Sequence, residues 1–570
     1  MDPSLSRACT QNVRLCMLGR TAGLDFQPNR LVDIGSTSGT TWRLLLKGDC
    51  NTFRSPYVTI SHRWGQYQEF QLISQKLEAY TSDQPVSDLP PIFQDAIQVA
   101  KSLGVRYLWV DCLCIIQDSD PDWQRESLEM CRIYTNSICN ISITGFEDTS
   151  TGFLNQTCRY ATLPCRVQPR WAPSLREGWC ILDPFFWWAQ VTKAPLTKRG
   201  WVFQERFLAP RVVHFGPDQI LWECSSLDAC ETFPLGLPAI AQARQHTGFK
   251  KMDYIFQHDI QRGSFPEPGY KIRMEQEDLL FSWCQIVQAY TRTTLSKPSD
   301  KAVALAGVAE LMSRSETSTG ITRYMAGLFE PHLLLMLEWH PDGKMFSRHE
   351  PDGVRPPRYR GPSWSWVSLD ARIFYDYLPQ RINDQPLWSR RPSWDIFLER
   401  LYRHTNPNHM FHWPIPHRCL TWKPLIWNMR SSIKTASESP FGQILDGKLE
   451  LTGQLILAQD IIKMSQSSLL SPPMMLYLDV PTDSGQLKPT AMLLPLRCMQ
   501  LRRLDNDSPF YWATSLLLEP VEGRESTYQR CGMLSILSTD GVREIGVELA
   551  DNPFSARYSY DTELENIIIV

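Results

Sequence analysis

The amino-acid sequence predicts an α/β protein with a doubly wound sheet near the N-terminus, followed by a mainly helical part and a β-rich C-terminal part. Two observations predict the sheet. Short apolar runs, typical of parallel strands that are buried on both faces, alternate with segments of helical periodicity. The order strand, helix, strand, helix, strand is typical of a doubly wound sheet. A third observation, segments such as "KLELTGQLILA" and "MMLYLDV", predicts the strands of the last third.

Each element of the N-terminal sheet has its own signal in the sequence. Residues 1–55 form an N-terminal segment with two short strands, "RLVDIG" and "WRLLLKG". The central strands are "YVTIS" (57–61), "YLWV" (107–110) and "ICNISIT" (138–144), and "LPPIFQDAIQVAKSLG" is the helix between the first two. The stretch "KRGWVFQERFLAPRVVHFGPDQILWEC" (198–224) predicts a short helix, a proline turn and a β-hairpin.

The changes in pattern along the chain divide it into four regions. These are an N-terminal segment (1–55), an α/β domain (56–225), a mainly helical extension (240–375) and a β-rich C-terminal region (376–570). The helical extension is predicted from "LLFSWCQIVQAYTR" and "DKAVALAGVAELM". A chain of 570 residues is too long for one compact core, so several domains are expected.

Composition and charge argue against several classes of partner. The chain has 58 Lys and Arg against 61 Asp and Glu, a net charge of −3, so no basic field favours nucleic acid or an anionic membrane. No apolar run approaches the ~20 residues that span a bilayer, and the first residues lack the apolar core of a signal peptide. We therefore expect a cytoplasmic protein whose sixteen scattered cysteines are free thiols. No Cys/His spacing of the zinc type is present, so no metal site is predicted.

The stretch "YLWVDCLCIIQDSDPDWQRESLEM" places two acids where a site could form. Asp111 follows a buried strand, and ligands of open parallel sheets bind at the carboxyl ends of strands. Ser119 or Asp120 can cap a helix that begins near Pro121. Glu126 lies on the border of that helix's apolar stripe. Asp111 and Glu126 are therefore candidate catalytic acids.

A purely structural role is the alternative for each candidate. Asp111 would then be a turn or cap residue and Glu126 a solvated one. His62 would be a hydrogen-bonded loop residue, and Trp64 would belong to a structural turn. The remaining candidates, in the stretch "GWVFQER", are expected in a packed, capped helix: Trp201, Gln204 and Glu205.

The common catalytic fingerprints GxGxxG, GxxxxGK[ST], GxSxG and HExxH are absent, so no cofactor is predicted as a requirement. Three long strings do resemble a known family. "YVTISHRWG", "LPPIFQDAIQVAKSLGVRYLWVDCLCIIQDSDPDWQRESLEMCRIYTNS" and "KRGWVFQERFLAPRVVHF" resemble, in order and spacing, the three blocks of the fungal heterokaryon-incompatibility (HET) domain. "DKAVALAGVA", "YMAGLFEPHLLLMLEW" and "YRGPSWSWVSLD" are similar to segments that follow that domain in large HET proteins.

The resemblance implies a role in fungal non-self recognition, in which HET proteins trigger growth arrest or programmed cell death. It also implies a flavodoxin-like fold similar to the TIR domain, some members of which cleave NAD⁺ with a helical glutamate. By that resemblance Glu126 would be the catalytic acid, with Asp111 beside it. His62, Arg63 and Trp64, which follow the first central strand, would contact the nucleotide, which makes NAD a possible substrate.

Four functions therefore stay open. The chain is an incompatibility effector, an NAD⁺-cleaving hydrolase of the TIR kind, a non-catalytic module of homotypic assembly, or a HET-like protein recruited to a metabolite pathway. We expect protein partners, or a homo-oligomer formed through the HET domain. We expect no binding to nucleic acid or to a membrane.

Overall fold

The structure is a computed structural model, and the description below covers a defined part of the chain. The described residues are 26–35, 39–48, 55–64, 70–146, 151–154, 165–167, 179–181, 183, 186–224, 227–238, 276–313, 316–317, 320–321, 323–341, 353–375, 417–461, 474–480, 487–503, 509–538, 547–548, 557–558 and 564–570. They fall into two compact units, one of residues 1–274 and 292–316 and the other of residues 275–291 and 317–570.

Eleven described strands belong to the first unit. They are β1 (Arg30–Asp33), β2 (Thr41–Leu46), β3 (Tyr57–Ser61), β4 (Gln84–Pro85), β5 (Tyr107–Val110), β6 (Asn140–Ser142), β7 (Cys165–Val167), β8 (Trp179–Ile181), β9 (Arg211–Phe215), β10 (Ile220–Cys224) and β11 (Asp228–Cys230). Nine of them form one sheet in the order β11-β10-β9-β6-β3-β5-β1-β2-β4, and β7 pairs with β8.

Helices of both units are short or of moderate length. They are α1 (Leu77–Tyr80), α2 (Pro91–Ser102), α3 (Asp111–Cys114), α4 (Asp120–Thr135), α5 (Gly200–Leu208), α6 (Gln276–Tyr290), α7 (Ala306–Ser313) and α8 (Leu333–Met336). Tighter turns of 3₁₀ helix cover Ser74–Lys76, Val86–Asp88, Leu196–Lys198, Pro298–Lys301, Val303–Leu305, Glu330–His332 and Trp366–Ser368, and a π-helix covers Trp188–Thr192. Within the described ranges no helix has the length and apolarity that crossing a bilayer requires.

The centre of the first sheet is parallel. β3 pairs in parallel with β5 on one side and with β6 on the other, and β6 pairs in parallel with β9. In space these four strands are ordered β5-β3-β6-β9. The chain places β5 on one side of β3 and then β6 on the other side, so the strand order reverses between β3 and β6. β3 and β5 are buried along their whole length, as predicted for central strands of a parallel sheet.

Antiparallel strands extend this centre on both sides. β1 pairs with β5 and with β2, and β9 pairs with β10, which pairs with β11. The two strands predicted for the N-terminal segment are therefore part of the same sheet as the central strands. The third central strand spans Asn140–Ser142, shorter than the predicted 138–144, although Ile138 and Ile143 also donate backbone hydrogen bonds to β3.

The predicted helices are present where the apolar spacing is helical. α2 begins with Pro91 at its first position and is followed by Gly104 in the left-handed region, at φ +74°. α4 begins after Ser119, whose side chain accepts the Asp122 N–H and caps the helix.

The second unit is dominated by a sheet of long strands. Its elements and those at the boundary are β12 (Glu316–Thr317), β13 (Gly320–Ile321), β14 (Tyr324–Met325), β15 (Leu328–Phe329), β16 (His340–Pro341), β17 (Ile373–Phe374), β18 (His417–Pro424), β19 (Trp427–Thr435), β20 (Ile444–Gly453), β21 (Ile456–Leu457), β22 (Met474–Leu478), β23 (Met492–Arg503), β24 (Pro509–Pro520), β25 (Thr527–Ser538), β26 (Val547–Glu548), β27 (Arg557–Tyr558) and β28 (Glu565–Ile569). The main sheet runs β18-β23-β24-β25-β28-β20-β19, with β21 on β23 and β22 on β25. The β-rich C-terminal part is therefore confirmed, and the chain as a whole is mixed α/β.

Candidate functional site

The candidate site lies at the carboxyl ends of the central parallel strands. Ser61 ends β3 beside Ser142 of β6, which is where the strand order reverses. Asp111 follows directly after β5, the other neighbour of β3. In open sheets with this kind of reversal, the crevice outside the strand ends is the usual place for a ligand.

A chain of buried hydrogen bonds runs along β3 and β6 to a glutamate. The Thr59 hydroxyl donates to Asn140 Oδ1 at 3.1 Å, and Asn140 Nδ2 donates to Ser61 Oγ at 2.9 Å. The Ser61 hydroxyl in turn donates to Glu205 Oε2. Asn140 and Ser61 each accept one bond and donate the next, so the bonds polarise one another and all point toward the carboxyl group of Glu205.

Glu205 is a buried acid with an unusual protonation equilibrium. It lies on α5, and burial together with the charge of Asp111 raises its pKa from 4.5 to about 7. The Ser61 hydroxyl, Arg199 and Tyr134 act in the opposite direction. A carboxyl group that titrates near neutral pH can donate or accept a proton under cellular conditions.

Asp111 is held by two N–H donors at the start of α3. The Trp64 indole Nε1 donates to Asp111 Oδ2 at 2.8 Å, and the backbone N–H of Cys112 donates to Asp111 Oδ1 at 2.8 Å. The side chain of Asp111 is 24% exposed. The carboxylate is therefore oriented by its neighbours and still reaches solvent.

His62 lies next to Asp111 with its ring buried. Its Nδ1 is 3.9 Å from Asp111 Oδ1 and has no hydrogen-bond partner in the described part of the chain. The ring packs edge-on against Phe93, with the centroids 5.0 Å apart. Burial lowers the pKa of His62, Asp111 raises it, and Arg199 adds to the lowering.

Arg199 joins the site from the turn before α5. Its Nη1 donates to the His62 carbonyl oxygen at 2.7 Å. A Cβ at the neighbouring Gly200 would lie 2.4 Å from Leu295 Cδ2, so a larger residue there would displace the Leu295 side chain. The Gly200 N–H also donates to the Thr294 carbonyl at 2.8 Å. These contacts set where α5 begins, and so where Arg199 and Glu205 lie; no side chain caps this helix, contrary to the prediction.

A second set of contacts holds α5 against α4 and α7. Gln204 Oε1 accepts the Gly307 N–H at 2.7 Å, and Cys131 Sγ donates to the Gly307 carbonyl at 3.2 Å. A Cβ at residue 307 would lie 3.1 Å from the Cys131 Cα, so glycine allows this approach. The helix that carries Glu205 is thus supported from two sides.

Glu126 lies in a different cluster. Its side chain is fully buried, its Oε1 accepts from Asn29 Nδ2 at 2.8 Å, and Arg30 Nη1 is 3.6 Å from the same oxygen. Asp122, one turn earlier on α4, is paired with both Arg30 and Arg125. Burial raises the pKa of Glu126, and its polar neighbours Asn29 and Arg30 lower it. The border position predicted for Glu126 is therefore a buried one, and its partners come from the start of β1.

The structure brings together part of the predicted set. His62, Trp64 and Asp111 lie in one site, whereas Glu126 has other partners. Arg63 is half-buried in the turn after β3, whose continuation, residues 65–69, lies outside the described residues.

Sequence reasoning did not place Ser61, Tyr134 or Arg199 in the site, and it assigned Glu205 to a packed helix. One signal was present for Glu205, since it is the single acid in the mostly apolar helix "GWVFQERFL". A second signal was the polar spacing of Thr59 and Ser61 on one face of a buried strand.

Comparison with known proteins gives one match. Residues 57–205 match the family model described as heterokaryon incompatibility protein (HET). No curated protein and no solved structure matches the chain. The matched segment begins at the first residue of β3 and ends at Glu205, so that it contains both ends of the hydrogen-bonded chain. Residues 57–205 are therefore similar to the HET domain, and the candidate site lies inside this matched segment.

Proposed function

We propose that the protein is an effector of heterokaryon incompatibility that arrests growth or kills the cell, acting in the cytoplasm through its HET domain. The observation that carries the proposal is the cluster at the strand reversal, where Glu205, Asp111 and His62 lie within the family-matched segment. Two acids, a histidine and Arg199 converge there on a site that solvent reaches at Asp111. Such a concentration of titratable groups is typical of a site that performs chemistry.

We further propose a flavodoxin-like, doubly wound arrangement of the domain, of the kind found in TIR domains. The parallel strands support it, because their spatial order β5-β3-β6-β9 corresponds to 2-1-3-4 in chain order. The flavodoxin-like order begins in the same way.

The second candidate function is cleavage of NAD⁺, and the position of Glu205 favours it. In this reaction the bond between ribose C1′ and the nicotinamide nitrogen breaks, and the electron pair leaves with nicotinamide. Water adds to C1′ and gives up a proton. An ionised carboxylate can stabilise the oxocarbenium-like ribose and accept that proton. We assign this role to Glu205, with Asp111 as the second acid and with His62, Arg63 and Trp64 beside the phosphates.

The experiment follows viability and NAD⁺ together in a fungal host that expresses the full chain. Glu205→Gln keeps the side-chain shape and an acceptor for Ser61 but removes the charge, so we expect loss of both killing and NAD⁺ depletion. Glu129→Gln is the matched control, because that glutamate is partly exposed and its ion-pair partner is its helix neighbour Arg132. Glu126→Gln tests the acid that the sequence predicts, with protein abundance measured alongside because Glu126 is buried.

Each outcome separates the candidates. Killing that requires Glu205 and is accompanied by NAD⁺ loss supports the hydrolase. Killing without NAD⁺ loss that tolerates Glu205→Gln supports homotypic assembly, which size-exclusion chromatography of the full chain would show directly. If the wild type neither kills nor arrests growth, the effector proposal is wrong and recruitment to another pathway takes its place.

A further inference from the structure

A second chemical feature of the site is independent of the hydrogen-bonded chain to Glu205. Three different donor atoms converge where β3 and β5 end: a ring nitrogen of His62, a carboxylate oxygen of Asp111 and the thiol sulfur of Cys112. All three lie within 4.8 Å of one another. His62 and Cys112 are buried, and Asp111 is partly exposed. One nitrogen, one oxygen and one sulfur form a donor set that suits a borderline-soft divalent cation.

His62 provides the observation that points to a ligand. Its side chain is 2% exposed, and its Nδ1 has no hydrogen-bond partner among the residues described. This nitrogen faces Asp111 Oδ1 at 3.9 Å, which is too long for a hydrogen bond. Buried polar atoms are nearly always satisfied by hydrogen bonds, so an orphaned nitrogen 3.9 Å from a carboxylate oxygen needs an explanation. A cation between the three atoms would provide it.

We propose that His62, Asp111 and Cys112 bind a zinc-class divalent cation through three protein ligands and leave a fourth position open. In tetrahedral zinc sites the donor atoms are separated by about 3.3–3.7 Å, as bond lengths of ~2.0–2.3 Å require. From separations of up to 4.8 Å, the three atoms would need to approach one another by up to about 1.5 Å, which rotation of the Asp111 and Cys112 side chains allows. Binding would displace the Cys112 thiol proton, because the thiolate is the ligand.

The surroundings already contain the supports that metal ligands usually have. The Trp64 indole N–H donates to the second carboxylate oxygen of Asp111, which orients that ligand. Phe93 packs against the His62 ring and fixes its plane. Arg199 brings a positive charge to the site, and its guanidinium donates a hydrogen bond to the His62 carbonyl oxygen. Glu205 is a second acid near the site, and burial together with the charge of Asp111 raises its pKa.

Three protein ligands with an open fourth position are the arrangement of catalytic zinc rather than structural zinc. Such an ion activates a bound water or polarises a phosphoryl or carbonyl oxygen. The exposed edge of Asp111 is the side from which the water or substrate would approach. The metal proposal does not depend on NAD⁺ cleavage, and metal binding is measured without activity.

The test uses the purified full chain, first stripped with a chelator and then titrated with Zn²⁺ or Co²⁺. Mass spectrometry of the metal content should give one zinc per chain, and Co²⁺ should produce a near-ultraviolet thiolate charge-transfer band. Cys112→Ser should abolish the band, and His62→Ala should weaken zinc binding at least tenfold. Cys114→Ser is the matched control, since Cys114 is equally buried on the same short helix but outside the donor set.

X-ray absorption of the zinc-loaded wild type gives a second readout that needs no variant. One sulfur together with nitrogen and oxygen neighbours supports the site. No zinc uptake by the wild type, a coordination shell with two or more sulfurs, or equal cobalt spectra for Cys112→Ser and Cys114→Ser would each overturn the proposal.

Discussion

Replacing Glu205 by glutamine should make the first unit more stable above neutral pH. In the folded protein the pKa of Glu205 is raised from 4.5 to about 7, first by burial and then by the charge of Asp111. A raised pKa means that the folded state holds the proton more tightly than the unfolded chain does. The resulting stabilisation is complete below pH 4.5 and is lost as the pH rises through 7.

The size of this effect follows from the shift. A difference of about 2.5 pKa units corresponds to about 3 kcal/mol between the protonated and ionised forms. Glutamine cannot ionise and still offers an oxygen to the Ser61 hydroxyl. Glu205→Gln should therefore match the wild type near pH 5 and exceed it by up to about 3 kcal/mol at pH 8. For a unit of this size that gain raises the melting temperature by about 6 °C or more.

The assay is the melting temperature of the full chain at pH values from 5 to 8, with a chelator present. Glu129→Gln is the control and should follow the wild-type curve, because that residue lies at the protein surface with its helix neighbour Arg132. A constant offset between Glu205→Gln and wild type across this range, or a lower melting temperature of the variant at pH 8, would refute the reasoning. A gain in stability combined with a loss of function would be typical of an active-site residue.

Three further predictions concern packing, charge and redox state. Val110→Asp places an unpaired charge in the buried strand β5, so the variant should be insoluble, and a soluble variant with normal melting contradicts that strand's central role. Glu223→Gln removes the counter-charge of the buried Arg206, which it binds at 2.7 and 2.8 Å, and should cost about 3–5 kcal/mol in denaturant unfolding. Although burial raises the pKa of Glu223, Arg206 and His214 hold it well below its ordinary value, so the carboxylate that the variant removes is ionised at both pH 5 and pH 8. Finally, alkylation under denaturing, non-reducing conditions should modify all sixteen cysteines, and a reproducible disulfide in mass spectra would overturn that expectation.

The central strands were predictable because their signal is local. Tyr57–Ser61 and Tyr107–Val110 occupy the predicted residues, since an apolar run of this length has few alternatives to a buried strand. The helix that begins at Asp120 was equally clear from Ser119 and Pro121. In contrast, nothing local indicates that Arg30–Asp33 pairs with β5, because pairing depends on residues more than seventy positions apart.

The site was predictable only in part, because sequence reasoning relied on the rule that ligands bind at the carboxyl ends of parallel strands. That rule led to Asp111, whereas the family resemblance led to His62 and Trp64. Glu205 contacts Ser61 across 144 positions of sequence, and such a contact has no local pattern. The choice of Glu126 depended on helix periodicity, which indicates that a residue faces inward but not which partner it meets there.

The pairing of β1 and β2 with the central sheet determines which segment of the gene could be transferred as an intact folding unit. The family match covers 57–205, yet Arg30 neutralises Asp122 and lies beside Glu126, two acids inside the matched segment. The Gly307 contact lies beyond the other limit of the match. A gene fusion that transferred only the matched segment would move the candidate site but remove Arg30, leaving the two buried acids with the partly exposed Arg125 as their remaining cation. The unit that recombination can move intact is therefore larger than the match, and it includes the strands before it and the helix after residue 300.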